Sequence, residues 1–218
     1  MAAKEFAVIG LGNFGATVAR SLSDLKGKVT AIDVDKAKVQ DLQDDVDTAI
    51  VADATEPQFL ENLEVDKFEC FVVSTGVDSH AAILITLHLH EMGAKKIIVK
   101  ANSSDHARIL LKVGASQAII PEEQMARKVA HSLAQGNVID YLPLAGDFCV
   151  AEIEPPEDFL DKSLIDLKLR SQYGLQVIAV KGKLSGKLQL APPADFKVGE
   201  NDILVVLGRV EDVDKVRK

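Results

Sequence analysis

Cysteine is scarce in this chain of 218 residues: Cys70 and Cys149 are the only two, both in strand-like apolar segments and without metal or redox spacing. That pattern fits a reducing, cytoplasmic compartment with both thiols free. Long apolar runs are missing as well. The best candidate, Ala81 to Leu89, is broken by His88 and falls well short of the ~20 residues a membrane span needs. The charged start, Met1 to Phe6, runs straight into a strand and not into a signal peptide. No direct membrane insertion is therefore expected, and contact with a membrane should go through a partner. Basic residues are outnumbered, 25 Lys and Arg against 33 Asp and Glu, for a formal net charge of −8. So acidic a chain is a poor match for sequence-independent nucleic-acid binding, although backbone dipoles and a few cations can still hold an anionic ligand.

Catalytic signatures are equally thin. The tyrosines, Tyr141 and Tyr173, have no lysine four residues on, so a Tyr-x-x-x-Lys pair is missing. No HExxH occurs, and His88 and His90, two apart on a helix, face different ways. None of the five histidines (His80, His88, His90, His106 and His131) has a carboxylate at a spacing that marks an acid–base pair.

What is present is a well-packed α/β chain. Hydrophobic residues make up 47% and charged residues 27%, enough apolar material for a core in one large or two small domains. The first part alternates strand-like runs (Phe6–Ile9, Val29–Ile32, Ala49–Val51, Cys70–Val73, Ile97–Val99, Ala118–Ile120) with helical patterns (Phe14–Leu25, Lys36–Gln43, Gln58–Leu63, Asp78–Met92, Asp105–Val113). Several helices stop at glycine: Gly27, Gly93 and Gly114. Such alternation predicts a Rossmann-type, doubly wound parallel sheet over residues 1–121. A helix follows from Glu122, striped by Met125, Val129 and Leu133 and stopped by Gly136-Asn137, so that 122–137 links the lobes. Residues 138–218 read as a small C-terminal α+β lobe, with strands at Phe148–Ile153, Val177–Val180, Leu188–Leu190 and Ile203–Leu207 and helices at Ser163–Arg170 and Glu211–Arg217. A lobe of that size buries little by itself and is expected to pair with a copy of itself.

The first turn, Gly10-Leu11-Gly12-Asn13-Phe14-Gly15, is a G-x-G-x-x-G between a strand and a helix, with Asp33 eighteen residues after Gly15 at the end of the second strand. This is the context of a dinucleotide-binding fingerprint. Gly10 permits the tight turn, Gly12 lets a phosphate approach the backbone, and Gly15 lets helix and strand pack closely. The helix N-terminus favours an anion. Asp33 can accept ribose hydroxyls and would repel a 2′-phosphate, which argues against NADP. Asp53, after the third strand, stands where an adenine edge would arrive; alternatively it or Thr55 caps the helix before Pro57. Ser74-Thr75-Gly76 lies across the switch-point crevice as donors to ribose or phosphate, or as a plain turn and cap. Lys100, at the end of the fifth strand, is read as a ligand contact, with a surface lysine as the alternative.

The ordered set GLGNFG, AIDVD (Asp33, Asp35), VADATEP (Asp53, Ala54), VSTGVDSHAAI, IIVKAN, VGASQAIIPEEQMA, SLIDLKLRSQYG and APPADF resembles the regulator-of-potassium-conductance (RCK) family, in its KtrA-type and TrkA-type forms, over nearly the whole chain. The resemblance implies a Rossmann lobe, a crossover helix and a TrkA-C-like lobe. It implies dimers and an octameric ring on the cytoplasmic face of a membrane potassium-translocating subunit of the KtrB or TrkH kind. It also implies ATP, ADP or NAD(H) in the crevice. Carried over by position, Gly10, Gly12 and Gly15 match the phosphate turn, Asp33 the ribose acid, Asp53 the acid of the Gly-Asp-Ala-Thr signature (with Ala52 for its glycine), and Lys100 the basic residue after the fifth strand. Glu122 falls where relatives place a carboxylate near a cation and the phosphates. Related Ktr-type subunits often carry Arg where this chain has Asn13, which leaves the choice among ATP, ADP and NAD open. In some relatives the segment like Leu164-Ile165-Asp166-Leu167, with Arg170 and a proline like Pro193, binds cyclic di-AMP; a core-facing amphipathic helix with a surface arginine is the alternative. The resulting expectation is a non-catalytic gating subunit, with a small NAD-dependent oxidoreductase as the alternative.

Overall fold

The computed structural model describes residues 3–134, 138–144 and 146–216. They form two compact units that divide between Pro121 and Glu122.

In the first unit, strand and helix alternate: β1 (Glu5–Ile9), α1 (Asn13–Asp24), β2 (Lys28–Asp33), α2 (Lys36–Leu42), β3 (Thr48–Val51), α3 (Pro57–Glu61), β4 (Cys70–Val73), α4 (Ser79–Glu91), β5 (Ile97–Lys100), α5 (Ser104–Lys112) and β6 (Gln117–Ile119). The strands form one parallel sheet in the order β3-β2-β1-β4-β5-β6, the doubly wound arrangement. Both faces are covered, so the strands are apolar at successive positions. Ala7, Ile9, Phe71 and Val73 pack on one face with Leu60, Leu89 and Leu110 from α3, α4 and α5. Val8, Ala31 and Val72 pack on the other with Ala19, Val39 and Leu42 from α1 and α2. Each fully buried Leu or Phe here contributes ~1.5–3 kcal/mol. Side-chain caps fix three helix starts: Asp35 accepts from Ala37 N, Asp78 from Ala81 N and Ser103 from His106 N. One stop differs from expectation. Lys26, at φ +66°, takes the left-handed turn after α1, and not Gly27. Gly27 is there for space, since a Cβ would lie 2.8 Å from the Phe6 ring.

The helix α6 runs from Pro121 to Ala134; the expected Gly136-Asn137 stop lies outside the described residues. The second unit holds β7 (Val138–Pro143), β8 (Phe148–Ile153), α7 (Leu164–Leu167), α8 (Leu169–Tyr173), β9 (Gln176–Gly182), β10 (Leu188–Leu190), β11 (Asp202–Arg209) and α9 (Val210–Lys215). Its antiparallel sheet has the order β10-β9-β11-β8-β7. Cys149, Ala151 and Ile153 alternate inward from β8 onto Phe159, Leu175, Leu204 and Val213. Two expectations are corrected. The single helix over Ser163–Arg170 is two short helices, because Lys168 takes a left-handed φ of +48° between them. The strand β7 was not foreseen, because an edge strand is defined by its pairing with β8 and not by its own pattern. Both cysteines are free and buried, and burial raises each thiol's pKa above its ordinary value.

Candidate functional site

The register levels the C-terminal ends of four strands: Ile9 pairs with Ile32 on one side and Val73 on the other, and Asp33 pairs with Val51. The chain winds outward from β1 in one direction to β2 and β3, and in the other to β4, so the crevice lies at the switch point where such sheets take ligands. The glycine turn fills its floor. Gly10 has φ +91°, and a Cβ there would stand 2.1 Å from Ser74 O. A Cβ on Gly15 would stand 1.9 Å from Gly10 O, which ties α1 tightly to the turn. At Gly12 nothing lies within 4 Å of the same construction, so that position faces open space. Gly12 is also the N-cap of α1, with no side-chain cap and no acidic residue in the first turn. The first N–H groups of a 12-residue helix are thus left to water or an anion.

Asp33 is buried beside this turn. Its Oδ2 accepts from Leu11 N at 2.6 Å and its Oδ1 from Asp35 N at 2.9 Å. Those bonds use two of about four lone-pair positions on a carboxylate, so acceptor capacity remains for hydroxyls. The ammonium of Lys38 stands 3.7 Å from Asp33 Oδ2 and 3.9 Å from Asp35 Oδ2. Asp53 Oδ1 accepts from both Thr55 N (2.9 Å) and Thr55 Oγ1 (2.7 Å). These bonds, the hydroxyl's first and then the backbone's, hold the carboxyl below its ordinary range. The N-cap of α3 is Glu56, so Asp53 closes a local turn and does not cap the helix.

A cavity of about 490 Å³ spans this crevice. Of the residues singled out in the sequence, Gly10, Gly12, Asp33, Asp53, Ala54, Thr75 and Gly76 line it together. Asn13, Phe14 and Gly15 belong to the first turn of α1 and Asp35 to the cap of α2, while Lys100 ends β5 and Glu122 begins α6; none of these six lines the cavity. Sequence reasoning missed Lys38, Asp78 and His80, which do line it, together with the apolar wall of Ala81, Leu84 and Ile85. Their signal was positional: Lys38 is in the first turn of the helix after β2, and Asp78 and His80 open the helix after β4. Among the described residues, no group of three or more His, Cys, Asp or Glu is arranged to hold a metal ion.

The second unit has its own cavity, of about 620 Å³, lined by Leu164, Ile165 and Arg170 among others. Pro192, not Pro193, completes its wall.

A glycine-floored cavity at the switch point of a six-stranded parallel sheet, with an acid at the end of β2, defines a nucleotide-binding protein of the doubly wound class. Residues 6–121 match the TrkA-N domain and residues 150–218 the TrkA-C domain. The chain is 37% identical over 216 residues to Ktr system potassium uptake protein C of Bacillus subtilis, covering 99% of this chain and 96% of the relative. It is 34% identical to Ktr system potassium uptake protein A of Vibrio alginolyticus, covering 94% and 92%. The chain therefore belongs to the RCK family, in its Ktr/TrkA type. In fold it is similar to the GsuK RCK domain (TM-score 0.68, 17% identity, 99% of this chain and 47% of that one) and to the GsuK channel bound to NAD (TM-score 0.54, 19% identity, 99% and 38%). The chain thus spans less than half the length of either GsuK chain. No helix among the described residues is long and apolar enough to cross a membrane.

Proposed function

We propose that the chain is the regulatory, gating subunit of a Ktr- or Trk-type potassium channel or transporter, and is not an enzyme. It binds adenine nucleotide in the 490 Å³ cavity and sits peripherally at the cytoplasmic face of the membrane through a membrane potassium-translocating partner. The observation that carries this reading is the cavity itself. Gly12 and the uncapped N-terminus of α1 suit a pyrophosphate, Asp33 suits a ribose, and Asp53 with Ala54 suits an adenine edge. The similar proteins of Bacillus subtilis and Vibrio alginolyticus are potassium uptake proteins, and the GsuK channel has been solved with NAD. In this reading ATP or ADP is the ligand, with NAD(H) as the alternative, and Thr75 and Gly76 serve its far side, while Lys100 ends β5 outside the cavity lining. Self-association, in this reading as dimer and octameric ring, draws on the exposed Met125, Val129 and Leu133, which recur every four residues along α6 and offer an apolar surface for association. Gating then requires that the nucleotide bind two states of the assembly unequally, ~1.4 kcal/mol for each tenfold shift. Calorimetric titration of the purified chain with ATP, ADP and NAD tests the ligand, and flux through vesicles holding a co-purified membrane subunit tests the coupling. Absence of affinity for all three nucleotides would remove the proposal, and turnover of NADH with a carbonyl substrate would replace it.

The cavity of the second unit favours a second ligand, cyclic di-AMP. In this reading Arg170 meets a phosphate and Leu164, Ile165 and Pro192 hold a base, all four lining the cavity. Replacing Arg170 by alanine is expected to weaken cyclic di-AMP binding by about tenfold, as loss of one charged hydrogen bond does, while leaving ADP binding unchanged. Equal weakening of both ligands would argue against two separate sites.

A further inference from the structure

The nucleotide cavity is poor in positive charge. Its lining holds three carboxylates, Asp33 at the end of β2, Asp53 after β3 and Asp78 at the cap of α4, against one ammonium, Lys38 on α2. Lys38 is already committed to Asp33 and Asp35. The charged groups of the elements packed around α4 are Glu61 on α3, Lys100 at the end of β5, and Asp105, Arg108 and Lys112 on α5; none of them lines the cavity. A pyrophosphate entering here therefore meets the partial positive charge of α1 and more fixed negative than positive charge on the walls. The one remaining group that can change this balance is His80. It lies in the first turn of α4, is exposed, and lines the cavity beside Thr75, Gly76 and Asp78. Histidine is the side chain that ordinarily changes charge between about pH 5 and 8.

We infer that His80 couples nucleotide binding to protons: the cavity takes up a proton on His80 when it binds the phosphates, so that affinity rises as pH falls. The inference rests on the nucleotide reading of the cavity and deepens it, since it makes the subunit respond to acidity and nucleotide together. The neutral ring can only offer a hydrogen bond, whereas the imidazolium adds a second cation to a lining whose one ammonium already faces Asp33 and Asp35. Asp78 is held at the start of α4, where its Oδ1 accepts from Ala81 N. His106 on α5 is buried and does not line the cavity: its Nδ1 accepts from Asn102 N, and Asn102 Nδ2 donates to Ser79 Oγ.

The test is calorimetric titration of the full chain with NAD, whose pyrophosphate keeps its charge across the range, at about pH 6 and about pH 8. Wild-type protein should bind NAD about five- to tenfold more tightly at the lower pH, as expected for one added unit charge a few ångströms from the phosphates at intermediate screening. His80→Gln should reduce that ratio to about one, and His80→Lys should hold the affinity high at both values. Adenosine, which has no phosphate, should show no ratio in any variant. An unchanged ratio in His80→Gln overturns the inference, as does a wild-type affinity that does not vary with pH. Failure to bind NAD, ADP or ATP at either pH would instead defeat the reading of the cavity, so the two failures are distinct.

Discussion

Replacing Gly15 by alanine is expected to destabilise the first unit by about 3 kcal/mol or more, at the upper end of what overpacking costs. The added methyl would sit 1.9 Å from Gly10 O and 3.0 Å from Gly10 C, both backbone atoms of a turn that is itself pinned against Ser74. No flexible side chain is available to move aside, so α1 must back away from β1. Urea denaturation should show a lower midpoint with nearly unchanged slope. The same substitution at Gly12 should do the opposite. There the methyl meets nothing within 4 Å, and φ of −66° suits any residue, so stability should stay within ~0.5 kcal/mol. Yet that methyl would stand in the space assigned to the phosphates, and ADP affinity should fall by about tenfold or more, the scale of one lost charged hydrogen bond. A Gly15→Ala protein as stable as wild type would refute the packing account. A Gly12→Ala protein that binds ADP normally would refute the placement of the phosphates.

The second large effect concerns Asp33. Asp33→Ala removes the acceptor of two backbone N–H groups, Leu11 and Asp35, in a buried place, and should cost ~1–3 kcal/mol of stability for each donor left unsatisfied. It also removes the proposed ribose contact, where charged hydrogen bonds of ~1.5–3 kcal/mol correspond to roughly ten- to hundredfold in affinity. Asp33→Asn is the more informative variant, because the amide keeps one acceptor oxygen but turns donors toward N–H groups. Its fold should persist under binding conditions, as checked by thermal melting, while affinity for adenosine, ADP and NAD falls together. Loss confined to ligands with phosphates would show that Asp33 acts on the turn and not on the sugar.

The C-terminal ends of the strands explain why so much of the crevice was legible. Gly10, Gly12 and Asp33 are constrained by local geometry: a turn, an open position and a strand end, each visible as a residue type at a fixed spacing. Asp53 was legible as an acid after β3, but its bonds to Thr55 and the role of Glu56 as cap depend on backbone detail that spacing does not carry. Lys38, Asp78 and His80 were missed because each reads as an ordinary surface residue in the first turn of a helix. Only the aiming of α2 and α4 over the strand ends makes them part of one cavity. In the second unit the break at Lys168 was invisible for a similar reason: the pattern from Ser163 to Arg170 is helical, and the left-handed residue that divides it is neither glycine nor asparagine.

The sequence alone determined the doubly wound first lobe, since short strands apolar at successive positions and capped helices in strict alternation leave a parallel sheet as the one way to bury both faces. It also determined the family, through motifs spread over nearly the whole chain. Tertiary structure decided which charges meet. It paired Asp33 with Lys38, brought His80 and Asp78 to one cavity, and put Pro192 instead of Pro193 in the cavity that Arg170 lines. Contacts of that kind join residues whose separation along the chain carries no period, so their energies act only after the sheets and helices have fixed the distances.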